Sequence, residues 1–404
     1  MATFSTVSGA SAENKYPFIG ICTNEYQKEK LEEHVRKVWR AGYPQCPPSI
    51  MTVGEYLDNP PQINTPQGEP PMNIENFYKH LHSKYMGRTL LYGHELTSTQ
   101  TILSDNFKDY QSGLVCIADK QNAGRGRSSN KWDSPYGCLM FSFKTYITNG
   151  RDLPMLQYLT TLVMCNSLED IYNTGDMDIS IKWPNDIYHH RNKKVGGIIC
   201  QSHYNGRAFD VTIGIGINIS NKKPTICMDE IASKLQKKEV ALGRSTVLAS
   251  FCNRFTEAIN TFRVYGFEPF MKDYLNTWMH SDEEITVISD DDESVRTNAI
   301  IRGIDCHTGM LQAEAANGEI LSLYPDTHSL NLMDKLLRMK SFFHLVNKVF
   351  VAPVVVDDHV GEGFPLLVAP LVSDPLFALF GGEVIPALQS FHRCVVIHLH
   401  NPDL

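Results

Sequence analysis

From Thr89 to about Met279 the chain alternates short apolar runs with longer helical ones, and this rhythm limits the fold more than any other feature. Strand-like runs cover Leu90–His94, Gly113–Ala118, Leu139–Thr145, Ile179–Trp183, Val195–His203 and Ala208–Ile219. Helix-like runs cover Thr99–Asn106, Pro154–Tyr172, Ser245–Tyr265 and Phe267–Thr277. In the second of these, Leu156, Leu159, Leu162, Val163 and Leu168 fall mainly on one face, which predicts an amphipathic helix packed on a sheet. Strands interleaved with helices need both elements in one core, so an α/β or α+β domain is expected here.

The flanks differ. Pro17 to Cys22 reads as a short strand and Glu25 to Arg40 as a charged helix. Pro44 to Met72 reads as a linker, because Pro47-Pro48, Pro60-Pro61 and Pro70-Pro71 interrupt both periodicities. Ile74 to Tyr85 reads as a helix leading into the main domain. Beyond residue 282, four alternating runs (Glu284–Ser289, Ala299–Asp305, Leu311–Ala315 and Ile320–Tyr324) separated by Asp-, Gly- and Asn-containing turns predict a small β-barrel. A closing helix is expected over Leu330–Met339. Residues 341–404 are rich in Val, Leu, Pro and His, and Pro365, Pro370 and Pro375 break their most apolar stretch, so no membrane span is expected. The expected organisation is an N-terminal extension over 1–72, a main domain over 73–281, a barrel over 282–340 and a hydrophobic tail over 341–404.

A net charge of −8 speaks against a nucleic-acid-binding surface, which needs an excess of Lys and Arg. The ten cysteines form no C-x-x-C pair, which fits reduced thiols better than a disulfide scaffold or a zinc ribbon. Residues 1–16 hold one Lys and no Arg and resemble neither a secretory signal nor a transit peptide. A cytoplasmic location is therefore expected.

Three segments carry chemistry. Gln121-Asn122-Ala123-Gly124-Arg125-Gly126-Arg127 runs through Trp132 into an apolar strand. Glycines let the backbone approach a ligand, arginines grip carboxylate or phosphate, and the indole offers a flat face to a ring. A nucleotide ester fits that combination, whereas a solvated basic turn is the plain alternative. No Gly-Lys-Ser/Thr closes the loop, so it is not a Walker A loop. In the second segment, Ile181-Lys182-Trp183-Pro184-Asn185-Asp186-Ile187 leads to Lys194-Val195-Gly196-Gly197, a hairpin with an acid at one mouth and a lysine at the other. Asp186 can hold magnesium or orient a nucleophile, and Lys194 can place a charge on phosphate or carboxylate. A common turn with a surface lysine is the other reading. The third segment, Ile213-Gly214-Ile215-Gly216-Ile217-Asn218-Ile219, lacks the third glycine and following helix of a dinucleotide fingerprint. Its glycines fit close approach of another group, or merely a tightly packed core strand.

These segments, in this order, resemble the biotin–protein ligase family, in particular its eukaryotic holocarboxylase synthetases, over about Asn73 to Lys340. Tyr324-Pro325-Asp326 and Asn331-Leu332-Met333-Asp334 are similar to the family's ending. The resemblance implies an α+β fold: a class II aminoacyl-tRNA-synthetase/biotin-ligase-like domain with a mixed sheet flanked by helices, followed by an SH3-like barrel. It implies ATP, Mg2+ and biotin as reactants, biotinoyl-5′-AMP as intermediate, and a lysine on the biotin carboxyl carrier domain of a carboxylase as acceptor. It further implies a monomer or weak dimer, with neither nucleic acid nor membrane as partner and with organellar forms allowed.

Carried over by motif, Ser98, Thr99 and Gln121 bond the ureido end of biotin. Gly124, Arg125, Gly126 and Arg127 form a loop over the adenylate, with Arg127 on carboxylate and phosphate. Trp132 lines the adenine pocket, and Asn185 and Asn218 contact adenine. Lys194 bridges the biotin carboxylate and the α-phosphate, Gly197 lets the biotin tail pass, and Asp186 places the metal or the incoming lysine. Asn130 stands where bacterial members often carry Arg, no helix-turn-helix fits the proline-broken residues 17–72, and the tail matches nothing in the family. A lipoate or octanoate ligase shares the fold but carries a different Arg-Arg and Gly-Gly-Gly loop. A catalytically silent biotin or nucleotide sensor need not retain Arg127, Asp186 and Lys194 together.

Overall fold

A computed structural model describes residues 17–39, 47–63, 65, 70–127, 130–174, 177–221, 223–288 and 296–324, with the backbone of 328–331 and 336–339. The expectations for the tail and for 332–335 and 325–327 lie outside these residues.

The N-terminal unit is β1 (Phe18–Cys22), α1 (Glu25–Val38), β2 (Ser49–Thr52) and α2 (Val53–Asp58). The side chain of Asn24 accepts from Gln27 N at the start of α1, and Thr52 with Glu55 forms a capping box on α2. Pro44–Met72 is thus not linker throughout. β2 pairs parallel to β1 at the sheet's edge, where the preceding Pro47 and Pro48 cost no ladder bond. Helix α3 (Ile74–His80) stops well before Tyr85.

The main domain continues as β3 (Thr89–Leu96), α4 (Thr99–Asn106), β4 (Leu114–Gln121), β5 (Cys138–Ile147), α5 (Leu153–Tyr172), β6 (Ile179–Lys182), β7 (Asp186–His189), β8 (Lys193–Tyr204), β9 (Phe209–Asn218), α6 (Met228–Gln236), α7 (Arg244–Tyr265) and α8 (Glu268–Thr277). Strand order β2-β1-β3-β4-β5-β9-β8-β7-β6 makes one mixed sheet, with β3 parallel to β4 and the central pairs antiparallel. Strands β1 and β2 are part of this sheet, so the N-terminal unit and the main domain share it.

Period-two alternation sends side chains to two cores. Leu90, Tyr92, Val115, Ile117, Phe141 and Phe143 pack under α3, α5 and α7. Leu91, Cys116 and Ala118 face Leu31 and Val35 of α1 and Ile102 and Leu103 of α4. Helix α5 departs from its expected single apolar face, because sheet, α7 and α8 enclose it and residues around its whole circumference are buried.

Helix α4 is anchored at its C-terminal end. Its last carbonyl and the two that follow are held from outside the helix: Asn106 O by His34 Nε2 at 2.8 Å, and Phe107 O and Lys108 O by the buried Lys144 ammonium. Burial pushes the Lys144 pKa down to about 8. The first turn of α4 is thereby presented at the C-terminal ends of β3 and β4.

A second sheet has the order β13-β12-β11-β10-β15-β14, from β10 (Glu284–Ile288), β11 (Arg296–Ile304), β12 (Leu311–Ala315), β13 (Ile320–Leu323), β14 (His328–Asn331) and β15 (Leu336–Met339). The helix expected over Leu330–Met339 is instead these last two strands, which pair antiparallel to each other while β15 pairs parallel to β10. Residues Leu330 and Leu337 are cross-strand partners, so the apolar positions read as helical serve a ladder.

Candidate active site

Strand β9 explains the alternation of glycine and isoleucine. Ile213, Ile215 and Ile217 enter the core, and the other face of the strand is nearly bare. The space so left is a cleft of about 520 Å³, roofed by the Gly-Arg loop and floored by the start of α4. All the residues proposed for the site line it except Gly124. That glycine serves the loop itself, since a Cβ there would lie 2.4 Å from Trp132 O.

At one end of the cleft, Ser98 caps α4 and Gln121 Oε1 accepts from Thr99 N (2.7 Å) and Thr99 Oγ1 (3.1 Å). Gln121 Nε2 donates to Ser134 Oγ at 3.1 Å, and the Thr99 and Ser142 hydroxyls lie 2.9 Å apart. A compact set of hydroxyls and amides can surround a small polar ring.

The roof is a short hairpin. Arg125 bridges to Lys131, Gly126 N donates to Asn130 O at 2.8 Å and Trp132 N to Gly124 O at 3.0 Å. Arg127 reaches across the cleft to Asn185 Oδ1 at 3.4 Å, and Asn185 Nδ2 is spent on Ile198 O at 2.7 Å. The Trp132 indole lies on Gly216, where a Cβ would come within 2.6 Å of Cε2. Its Nε1 meets no acceptor among the described residues.

At the far end, the expected hairpin is two hairpins in series, because Asp186–His189 is a strand of its own paired with β6 on one side and β8 on the other. Asp186 faces Lys182 across one ladder and Gly197 across the other, and its Oδ1 meets Lys194 Nζ at 2.7 Å. Lys194 also stands 5.5 Å from the Trp132 ring centre, which joins the far end to the roof. The turn entering Asp186 is firmly seated: the Trp183 indole is buried and donates to Tyr158 OH at 2.9 Å, while Trp183 N donates to His280 Nε2 at 3.0 Å.

Asn218 lines the cleft, yet its amide is committed: Nδ2 donates to Thr225 Oγ1 at 2.8 Å and Oδ1 accepts from Asn221 Nδ2 at 3.0 Å. It holds the rim together while presenting an edge to the cleft.

Three residues of the site escaped sequence reasoning. Lys182, quoted in its motif without a role, stands opposite Asp186 across the β6–β7 ladder; burial holds its pKa down, Lys194 and Arg127 add to this, and Asp186 opposes it. Gln100 and Ser142 line the cleft from α4 and β5. The signal for Lys182 was its cross-strand position opposite the acid. Gln100 and Ser142 had none, since each needs the tertiary fold to reach the cleft.

For a metal, Asp186 offers one carboxylate, and among the described residues no cluster of three or more His, Cys, Asp or Glu side chains could hold an ion. One carboxylate fits magnesium carried in by a nucleotide, which keeps its waters and phosphate ligands, and does not fit a resident metal. Among the described residues no helix is long and apolar enough to cross a membrane.

The biotin/lipoate A/B protein ligase family model matches residues 92–218, the span from β3 through β9 that builds most of this cleft. The chain is 33% identical over 272 residues to the chloroplastic biotin–protein ligase 1 of Arabidopsis thaliana, covering 66% of this chain and 74% of that protein. It is 29% identical over 279 residues to the biotin–protein ligase of Homo sapiens, but spans only 38% of that longer protein. The bifunctional ligase/repressor BirA of Escherichia coli is 30% identical over 223 residues, 54% of this chain and 66% of that one. Among solved structures, the biotin protein ligase from Aquifex aeolicus in complex with biotin and ATP aligns with a TM-score of 0.47 at 25% identity, over 60% of this chain and 97% of that one. With a third of its residues shared across three quarters of the Arabidopsis enzyme, the chain belongs to the biotin–protein ligase family.

Proposed function

We propose that the chain is an ATP-dependent biotin–protein ligase. It joins biotin to AMP and passes the biotinoyl group to a lysine on the carrier domain of a biotin-dependent carboxylase. The observation that carries this reading is the convergence of Arg127, Lys194 and Asp186 at one end of a single cleft whose other end is a cage of small hydroxyls and amides.

In the first step a biotin carboxylate oxygen attacks the α-phosphorus of ATP, the bond to the β-phosphate oxygen breaks, and pyrophosphate leaves. Carboxylate and phosphate repel each other. Arg127 and Lys194 offset that repulsion and stabilise the charge that builds as the bond forms. Asp186 tethers the Lys194 ammonium and offers a carboxylate to the magnesium that accompanies ATP. In the second step the acceptor amine attacks the acyl carbon, AMP departs, and the amine gives up a proton. Asp186 is placed to orient that amine. The hairpin roof shields the anhydride from water in between.

In this reading Ser98, Thr99 and Gln121 hold the ureido ring, and Gly197 leaves the tail room beside Asp186. Trp132 and the rim at Asn185 and Asn218 take the adenine, and Gly124 to Gly126 let the roof turn. The six-stranded sheet after residue 283 serves as the family's SH3-like barrel, a reading supported by the bulge between Ile301 and Gly303 that bends β11. A cytoplasmic site of action suits the free thiols of Cys22, Cys116, Cys138 and Cys165. The test is direct: purified chain with biotin, MgATP and a carboxylase carrier domain yields a carrier biotinylated at one lysine, and an unlabelled carrier with a folded chain contradicts the reading.

A further inference from the structure

The acid-bearing end of the cleft lies at the edge of the nine-stranded sheet. Strand β6 is the last strand there, and it is 4 residues long. One side pairs with β7; on the other, among the described residues, stand an isolated bridge from Ile181 to Trp278 and the bond from Met279 N to Ile181 O at 3.0 Å. A short edge strand opens at little cost, so the turn from Trp183 to Asp186 needs anchors outside the ladder. His280 holds the main chain of Trp183, and Tyr158 of α5 holds its side chain.

Tyr158 is fully buried, and its hydroxyl accepts from Trp183 Nε1 at 2.9 Å and donates to Gly309 O at 2.7 Å. The indole N–H can only donate and the carbonyl can only accept, so the direction of both bonds is fixed. The relay joins the turn at Asp186 to the loop between β11 and β12 of the second sheet. That loop is itself preformed. Asp305 Oδ1 accepts from His307 N at 2.8 Å and Thr308 N at 2.9 Å, and Gly309 N donates to Asp305 O at 2.9 Å. Gly309 has a φ of +73°, and a Cβ there would lie 2.7 Å from Pro154 Cβ at the start of α5. Glycine thus lets the loop sit against α5 closely enough for its carbonyl to reach Tyr158.

The structure assigns Tyr158 the role of a positioning residue for Asp186, acting through Trp183 and braced by the Gly309 carbonyl. The inference rests on the ligase reading above and adds to it a residue that lies outside the cleft. Asp186 in turn meets Lys194 Nζ at 2.7 Å, so a shift of the turn displaces two charges at the reacting end. The cage at Ser98, Thr99 and Gln121 stands on α4 and β4 and stays in place. Losing the relay should therefore slow the chemistry while biotin still binds. A tyrosine that merely supported the fold would weaken both ends together.

The experiment compares the full-length wild type, Tyr158→Phe and Gly309→Ala by calorimetry for biotin and by single-turnover formation of the adenylate. Phenylalanine keeps the ring and removes both bonds. Alanine at 309 leaves Tyr158 intact and moves the carbonyl from the side of the second sheet. Each variant is expected to form the adenylate about tenfold more slowly, with Kd for biotin changing by less than about twofold. In a Lys194→Ala background, Tyr158→Phe is expected to cost less than about twofold more, because both changes act through the same pair of charges. A rate for Tyr158→Phe within about twofold of the wild type overturns the proposal. So do a loss of biotin affinity as large as the loss in rate, and losses that multiply in the double variant. Should Tyr158→Phe fail to fold, Gly309→Ala is judged by the same three criteria. A folded wild type that forms no adenylate overturns the ligase reading instead.

Discussion

Replacing Gly216 by alanine tests the roof of the cleft by one methyl group. The added Cβ would stand 2.6 Å from Trp132 Cε2, 2.7 Å from Nε1 and 2.9 Å from Cζ2, against about 3.5 Å for an ordinary carbon contact. One side has to give by roughly 1 Å. Strand β9 cannot, because it is paired along its length with β5 on one side and β8 on the other. The main chain at Trp132 is pinned to Gly124 O, so the indole swings. Trp132 is only half-buried, so stability should fall by about 1 kcal/mol, the low end for overpacking. The nucleotide should suffer more: a displacement of about 1 Å can cost up to about a hundredfold in a positioned site, and about tenfold in KM for ATP, or about 1.4 kcal/mol, is the expected loss. Steady-state kinetics with each substrate varied in turn should show KM for ATP rising and KM for biotin moving by less than about twofold. A variant whose KM for ATP is unchanged, or whose KM for biotin alone rises, refutes the placement of Trp132 at the base.

Three further outcomes are expected of the site. Lys194→Ala should lower the rate of adenylate formation by about 100- to 1000-fold, measured by pyrophosphate release, with little change in Tm because its pair with Asp186 is partly exposed; a loss below about tenfold contradicts its role on the anions. Arg127→Ala should let biotinoyl-AMP escape, so that free intermediate accumulates and bystander lysines are labelled; retention equal to the wild type contradicts the roof as a shield. His280 should make the turn at Asp186 sensitive to acid. It is fully buried, Trp183 N donates to its Nε2, and its Nδ1 lies 2.7 Å from Glu283. The proton therefore sits on Nδ1, and burial holds the pKa below the ordinary 6.5 while Glu283 opposes. With the folded value depressed, the unfolded chain binds more protons below 6.5. Stability is then complete above that pH and falls as pH drops through the folded value. Thermal unfolding from pH 7.5 to 4.5 should show the wild type losing more than His280→Gln, and parallel losses would count against this.

Much of the molecule was legible because period and chemistry coincided. Strands β3, β4, β5, β8 and β9 follow from short apolar runs bounded by turn residues, and α4 and α7 from their longer period and clear ends. The Gly-Arg loop, the Trp-Pro-Asn-Asp turn and the Gly-Ile strand were each visible as unusual local combinations. What stayed hidden was set by tertiary context. Strand β2 is readable only once β1 is there to pair with it, because its prolines otherwise argue for loop. Strand β7 is four residues long and takes its place from two partners. In β14 and β15 the leucine spacing satisfies a helix and a ladder alike, and pairing with β10 decides. At the site, residue identities came through and their commitments did not. Asn218 looks free to read a base edge in the sequence, whereas the fold spends its amide on Thr225 and Asn221.

The most direct test of the ligase reading is a single-turnover experiment with the full chain, biotin, MgATP and a carboxylase carrier domain, followed by mass spectrometry of every product. Biotinoyl-AMP is expected on the enzyme before acceptor is added, then one biotin on one carrier lysine with one AMP and one pyrophosphate released. A folded chain that binds biotin and ATP yet forms neither the adenylate nor the biotinylated lysine would contradict it.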